Sequence, residues 1–183
     1  MKIFFICSLS GKEKYIKNYE TIIKELESCG HKVVSDHVFK RNVEDVAKFD
    51  TKKHQNEFSK LFFEMRKCDA VIAEISFSST TVGSFVALAL QNFTPTLLLH
   101  QNSYHGLVVG DPNRLMKISN YTLDNVDKVI KDFLDFAERR RLSIRFNLMI
   151  DKDIDKFLTQ KSLETNVSKA EYVRRLIQSK IKK

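Results

Sequence analysis

No apolar stretch in the sequence approaches the roughly 18 residues that a membrane-crossing helix needs. No charged-then-apolar leader with a small-residue cleavage site opens it either. Together these absences point away from a membrane protein and toward a cytoplasmic one. Cysteine is scarce: Cys7, Cys29 and Cys68 are odd in number, widely spaced, and form no CxxC or Cys/His cluster. That spacing excludes a disulfide framework and a thiolate metal centre, so the three are expected to be reduced, mostly buried thiols. No metal and no cofactor are expected.

What is present suits a soluble globular protein: 183 residues, 43% hydrophobic and 30% charged, enough for one domain plus a small appendage. The charge is unevenly placed. Residues 138–183 hold 13 Lys and Arg against 6 acids, so +7 of the net +8 sits there and the first 137 residues carry +1. A basic end on a nearly neutral body points to nucleic acid, or less strongly to an anionic membrane surface. A solvated basic tail is the plain alternative.

The most informative stretch is Asp69 to Leu90, DAVIAEISFSSTTVGSFVALAL. Val71, Ile72, Ala73 and Ile75 form the near-continuous apolar run of a strand buried on both faces of a parallel sheet. A helix over about 81–92 follows, apolar nearly all round and so expected inside the domain. Between them Ser76, Ser78, Ser79, Thr80, Thr81 and Gly83 offer hydroxyls and free N–H groups at a helix N-terminus, where an anion is favoured. An ordinary helix cap would look the same.

In chain order, KIFFIC (2–7) is a strand ending in the turn Ser8-Leu9-Ser10-Gly11, and Tyr15, Ile16, Tyr19, Ile22, Ile23 and Leu26 share one face of a helix stopped by Gly30. HKVVS (31–35) is a second strand, 37–53 is loop or short helix, and Phe58, Leu61, Phe62 and Met65 mark an amphipathic helix. TLLLH (96–100) is a fourth strand, 106–110 a loop, and 116–121 a short fifth strand, after which a helix with Val126, Ile130 and Phe133 inward closes the body. Strands alternating with helices predict an α/β fold with a parallel, Rossmann-like (flavodoxin-like) sheet. Ligands in such folds sit beyond the carboxyl ends of the strands, where both Ser-rich turns fall.

The succession CSLSGK, SDHVF, DAVIAEISFSSTTVGSFVALAL and TPTLLLH resembles the nucleoside 2-deoxyribosyltransferase family, especially its deoxynucleoside 5′-monophosphate N-glycosidase branch, over residues 1–137. The resemblance implies that the two turns hold a 5′-phosphate, with Ser8, Ser10, Gly11, Ser79 and Gly83 at the matching positions. Glu74 is added as a candidate facing base or sugar, with hydrogen bonding within the fold as its plain alternative, and Ser76 as a further nucleotide- or phosphate-binding candidate in the second turn. It also exposes a departure. The family's nucleophilic glutamate, in a G-x-E-L-G pattern, is matched by Phe85, and a phenyl ring can neither attack an anomeric carbon nor steady an oxocarbenium-like centre. The family's assisting acid aligns with Leu61, with Glu57 or Glu64 as shifted substitutes, and Ala87 and Leu88 replace its glycine and a polar neighbour.

Residues 142–181 resemble a second family, the ribbon-helix-helix DNA-binding domains of the CopG/Arc/MetJ type. Phe146, Leu148 and Ile150 alternate with Arg145, Asn147 and Met149 as in a half-buried strand. Asp151 or Asp153 can cap a helix with Ile154, Phe157 and Leu158 inward. Ser168-Lys169-Ala170-Glu171 opens a last helix as a capping box. The alternative is a helical hairpin folded back on the body. The resemblance implies strand pairing between two chains, Arg145, Asn147 and Met149 in the major groove, and Ser168 and Lys169 on a phosphate.

The sequence therefore leads to two parts, a deoxyribosyltransferase-like body (1–137) and a ribbon-helix-helix unit (138–183), joined through Arg139 to Arg141. The leading expectation is a homodimeric or larger transcriptional regulator, with double-stranded DNA as partner and a nucleotide-like small ligand on a catalytically degenerate body. The alternatives are an active deoxyribosyltransferase or nucleotide N-glycosidase with a relocated acid, and a structural or antitoxin-like partner protein.

Overall fold

The computed structural model of the chain describes residues 1–101, 115–141, 148–165 and 167–181. It divides into two compact units, Met1–Ile144 and Arg145–Lys183. The loop expected at 106–110 lies outside the described residues.

In the first unit, β1 (Lys2–Cys7), β2 (Lys32–Val34), β3 (Ala70–Glu74), β4 (Thr96–His100) and β5 (Met116–Asn120) form one sheet in the order β2-β1-β3-β4-β5. Every neighbouring pair is parallel. The Rossmann-like α/β sheet expected from the apolar runs is thus present. Because side chains alternate along a strand, β1 sends Ile3, Phe5 and Cys7 to one face and Phe4 and Ile6 to the other. The first face is covered by α1 (Lys12–Ser28) through Tyr15, Tyr19, Ile22 and Leu26, and by α6 (Val126–Arg141) through Val126, Ile130 and Phe133. The second is covered by α4 (Thr51–Met65) and α5 (Thr80–Gln91) through Met65, Val82, Phe85 and Val86. Each such fully buried aromatic or aliphatic side chain contributes about 1.5–3 kcal/mol.

Helix α1 ends where a left-handed residue is needed. Gly30 has φ of 80°, its N–H donates to the Glu27 carbonyl at 2.9 Å, and the His31 N–H donates to the Leu26 carbonyl at 3.2 Å. The 37–53 stretch resolves into two short helices, α2 (Asp36–Phe39) and α3 (Val43–Ala47).

The second unit contains α7 (Lys152–Thr165) and α8 (Lys169–Ile181). Asp151 caps α7, its Oδ1 accepting from the N–H of Asp153 at 3.1 Å and of Ile154 at 2.8 Å. Ser168 Oγ accepts the Glu171 N–H at 3.2 Å, but the Glu171 carboxylate turns to Arg174 and Arg175, so only half of the capping box forms. The strand expected over 145–150 is not found where the structure describes it: Leu148, Met149 and Ile150 have no regular structure, and Met149 is 98% exposed. The physical reason is pairing. An isolated extended segment has no neighbour to take its backbone hydrogen bonds, and the unit offers none among its described residues.

Candidate active site

Strand order reverses at β1, whose two crossovers leave in opposite directions, and this places a crevice beyond the carboxyl ends of β1 and β3. A cavity of about 670 Å³ occupies it. One side is the β1 exit, with Ser8, Leu9 and Ser10; another is the start of α5, with Ser79, Thr81 and Phe85. The two turns are drawn together at Gly11, where a Cβ would stand 2.6 Å from Phe77 Cβ. Only glycine permits that approach.

The third wall comes from the stretch expected to be loop or short helix. His37, Val38 and Arg41 from α2 and its exit line the cavity, followed by Val43, Val46 and Ala47 of α3. The wall is tied to the β1 exit by Lys12, whose Nζ donates to the carbonyls of Phe39 at 3.1 Å and Arg41 at 3.0 Å. Across from it, α4 presents Glu57, Phe58 and Leu61. Glu57 and Leu61 are four residues apart and so share a helix face, about 6 Å from each other along the axis.

Glu57 forms an ion pair with Arg41, and its Oε1 accepts from Lys60 Nζ at 2.9 Å. The Lys60 ammonium and the Arg41 guanidinium hold its carboxyl below the usual carboxylate range, so it is ionised at neutral pH. His37 is different. Both ring nitrogens are cut off from solvent and make no hydrogen bond of acceptable geometry among the described residues, and its ring stacks on Phe4 at 4.8 Å. Burial, with Arg41 beside it, pushes its pKa down to about 4, which leaves the imidazole neutral.

Phe85 is the residue that the sequence resemblance matches to the family's glutamate. It is fully buried, stacked on Phe4 at 5.8 Å between ring centres and tilted against Phe58 at 4.9 Å. Of the residues expected at the phosphate, Ser8, Ser10 and Ser79 line the cavity. Ser79 also caps α5, accepting the Val82 N–H at 3.4 Å. Gly83 sits in the first turn of α5 with open space beside it. Glu74 and Ser76 form their own cluster. Glu74 Oε1 accepts from Ser76 Oγ and, at 3.2 Å, from Tyr121 Oη, while Ser76 Oγ accepts the Gln101 N–H at 2.9 Å. Burial raises the Glu74 carboxyl above its ordinary range against those hydrogen bonds. Burial likewise keeps Cys7 a thiol and pushes Cys68 up to about 11. Among the described residues no group of three or more His, Cys, Asp or Glu is placed to hold a metal, and no helix is long and apolar enough to cross a membrane.

No family model matches the chain. A protein of Methanosarcina mazei provisionally named 2′-deoxynucleoside 5′-phosphate N-hydrolase 1 is 31% identical over 136 residues, spanning 72% of this chain and 83% of that protein. The chain belongs to the 2′-deoxynucleoside 5′-phosphate N-hydrolase family. A Methanosarcina barkeri member of the same name is 29% identical over 137 residues, covering 73% of this chain and 84% of its own. The fold of this N-hydrolase-family chain is also that of Clostridium botulinum CMP N-glycosidase BcmB, at a TM-score of 0.51 and 20% identity over 72% of this chain and 98% of that one.

These likenesses overturn the regulator reading. The relatives are named for hydrolysing nucleotides, not for binding DNA or controlling transcription. In this N-hydrolase-family chain the residues expected on DNA are placed as follows. Arg145 and Asn147 lie outside the described residues, Met149 is on an irregular segment, Ser168 caps α8, and Lys169 Nζ is paired with Asp155 at 2.6 Å. Several basic residues of this unit are paired within the hairpin, as with Lys161 and Glu164 at 2.6 Å.

Proposed function

We propose that the body hydrolyses the N-glycosidic bond of a 2′-deoxynucleoside 5′-monophosphate, with Glu57 as the relocated reactive carboxylate. The observation that supports this most is the convergence on one cavity of three serine hydroxyls, Ser8, Ser10 and Ser79, with an ionised carboxylate one helical turn from the position of the family's assisting acid. Phe58, partly exposed on the cavity wall and backed by the buried Phe85 ring, offers the base a stacking surface. Gly11, Gly83, Glu74 and Ser76 act behind this surface, setting the turns that carry the serines.

The chemistry balances with water as co-reactant. Water oxygen bonds to C1′, the C1′–N bond breaks with its electron pair leaving on the base, and one water proton passes to Glu57 and on to the base nitrogen. An ionised carboxylate suits both taking that proton and steadying the positive charge that develops on the sugar. Incubation of the full chain with the four deoxynucleoside monophosphates and chromatography of the products is expected to show free base. Glu57→Gln should lower the rate about 100-fold or more, as for loss of a general base. Absence of base release from all four substrates, or full activity in Glu57→Gln, sinks the reading.

We further propose that the α7–α8 unit pairs with a second copy of the chain. Among the described residues Leu158 is its only buried large apolar side chain, whereas Ile154, Phe157, Leu176 and Ile177 are exposed. A unit this small needs disulfides, a metal or association, and the chain's cysteines all lie in the other unit. Sedimentation at micromolar concentration is expected to show dimers or larger species; a monomer with α7 and α8 still helical rejects the pairing.

A further inference from the structure

Resting on the reading of the cavity as a nucleotide site, we propose that Arg41 is the receptor for the substrate's 5′-phosphate and that Glu57 occupies it until the phosphate arrives. The phosphate then displaces the carboxylate that the reaction needs.

Three observations carry this. First, among the described residues Arg41 is the only Lys or Arg lining the cavity and Glu57 the only Asp or Glu, and the two are bonded to each other. Hydroxyls alone do not balance a phosphate of nearly two charges, whereas a guanidinium fork matches its oxygens bidentately. Second, the pair is largely shielded, with side-chain exposures of 27% for Arg41 and 19% for Glu57, so competition for the guanidinium is felt more strongly than at an open surface. Third, the exchange leaves neither partner adrift. Lys12 holds the Arg41 carbonyl at 3.0 Å and Asn42 Oδ1 at 3.4 Å, which fixes the backbone of the receptor. Lys60 keeps Glu57 Oε1 at 2.9 Å, so displacement frees Oε2 while the side chain stays anchored.

The device makes the phosphate more than a handle. A nucleoside without phosphate leaves Glu57 locked on Arg41, and so finds the cavity without its base. Discrimination between nucleotide and nucleoside therefore falls on turnover as well as on affinity.

Calorimetric titration of the full chain with inorganic phosphate at pH 7.5 tests this directly. Arg41→Met is expected to weaken phosphate at least about tenfold, the scale of a lost charge-assisted pair, and Arg41→Lys to weaken it less. Glu57→Gln should tighten phosphate about three- to tenfold, because the competitor for the guanidinium is gone. Unchanged affinity in Arg41→Met overturns the receptor assignment. Unchanged or weaker affinity in Glu57→Gln overturns the exchange. Should Arg41→Met fail to fold by circular dichroism, Arg41→Lys decides the first arm, and equal affinity there overturns it. Base release separates this from the hydrolase reading. The affinity pattern without base release retains the exchange and removes the enzyme; base release with phosphate affinity indifferent to both substitutions does the reverse.

Discussion

Replacing Phe85 by alanine is expected to destabilise the body by about 3–5 kcal/mol, the range for emptying an aromatic site in a packed core. The ring has no solvent exposure and contacts Phe4 and Phe58, with the second-face cluster around it. For a chain of this size the thermal midpoint should fall by about 6–20 °C. Phe85→Glu should fare no better, because it sets a carboxylate where an apolar ring was packed. It should not raise base release, since the position has been given over to the core. A loss below about 1 kcal/mol in the alanine variant would show instead that position 85 still fronts an open site.

Acidification from pH 7 to pH 4 should cost the wild type about 3 kcal/mol through His37 alone. The unfolded imidazole takes up a proton near its ordinary value of 6.5, whereas the folded one resists until about 4. Between those values the unfolded state binds more protons, so His37's contribution is fully present above pH 6.5 and is lost as pH falls toward 4. Each unit of the interval is worth about 1.4 kcal/mol. Glu74 works in the opposite sense. Its raised carboxyl takes a proton in the folded state first, so its contribution is present at low pH and is lost as pH rises through its folded value. His37→Phe keeps the stack on Phe4 and leaves Glu74 unchanged, so subtracting its urea-unfolding curves from the wild type's at pH 7, 5.5 and 4 isolates the histidine. Parallel curves would mean that His37 is protonated in the folded state.

The sheet was legible because each strand is a short run of apolar residues with no competing periodicity. IFFI in β1 and VIA in β3 have too few polar positions for a surface helix and end at turn residues. Helix α1 was legible for the complementary reason, with its apolar positions repeating at helical spacing and Gly30 at the stop. The cavity's third wall was not. Helices α2 and α3 span four and five residues, about one turn each, too few for any period to show. Arg41 acquires its place from Lys12, 29 residues earlier, and from Glu57, 16 residues later, contacts that no local pattern encodes. Glu57 itself was named only as one of two shifted substitutes. What singles it out from Glu64 is that it lines the cavity and Glu64 does not. The pairings of the basic end were hidden for a related reason: that of Lys169 with Asp155 depends on how α7 meets α8.

Helix α4 also bears on how such sites change over descent. Residues four apart project from the same side, so the helix offers a ladder of nearly equivalent mounting points spaced about 6 Å along its axis. On the proposed assignment, the acid is surrendered at one rung, Leu61, which packs against the core of the second face, and its work is taken up from the next, Glu57. The step succeeds only if the opposite wall keeps pace. That wall is carried by the short helices α2 and α3 between β2 and α4. Alignment column by column will then score as a loss what three dimensions record as a displacement.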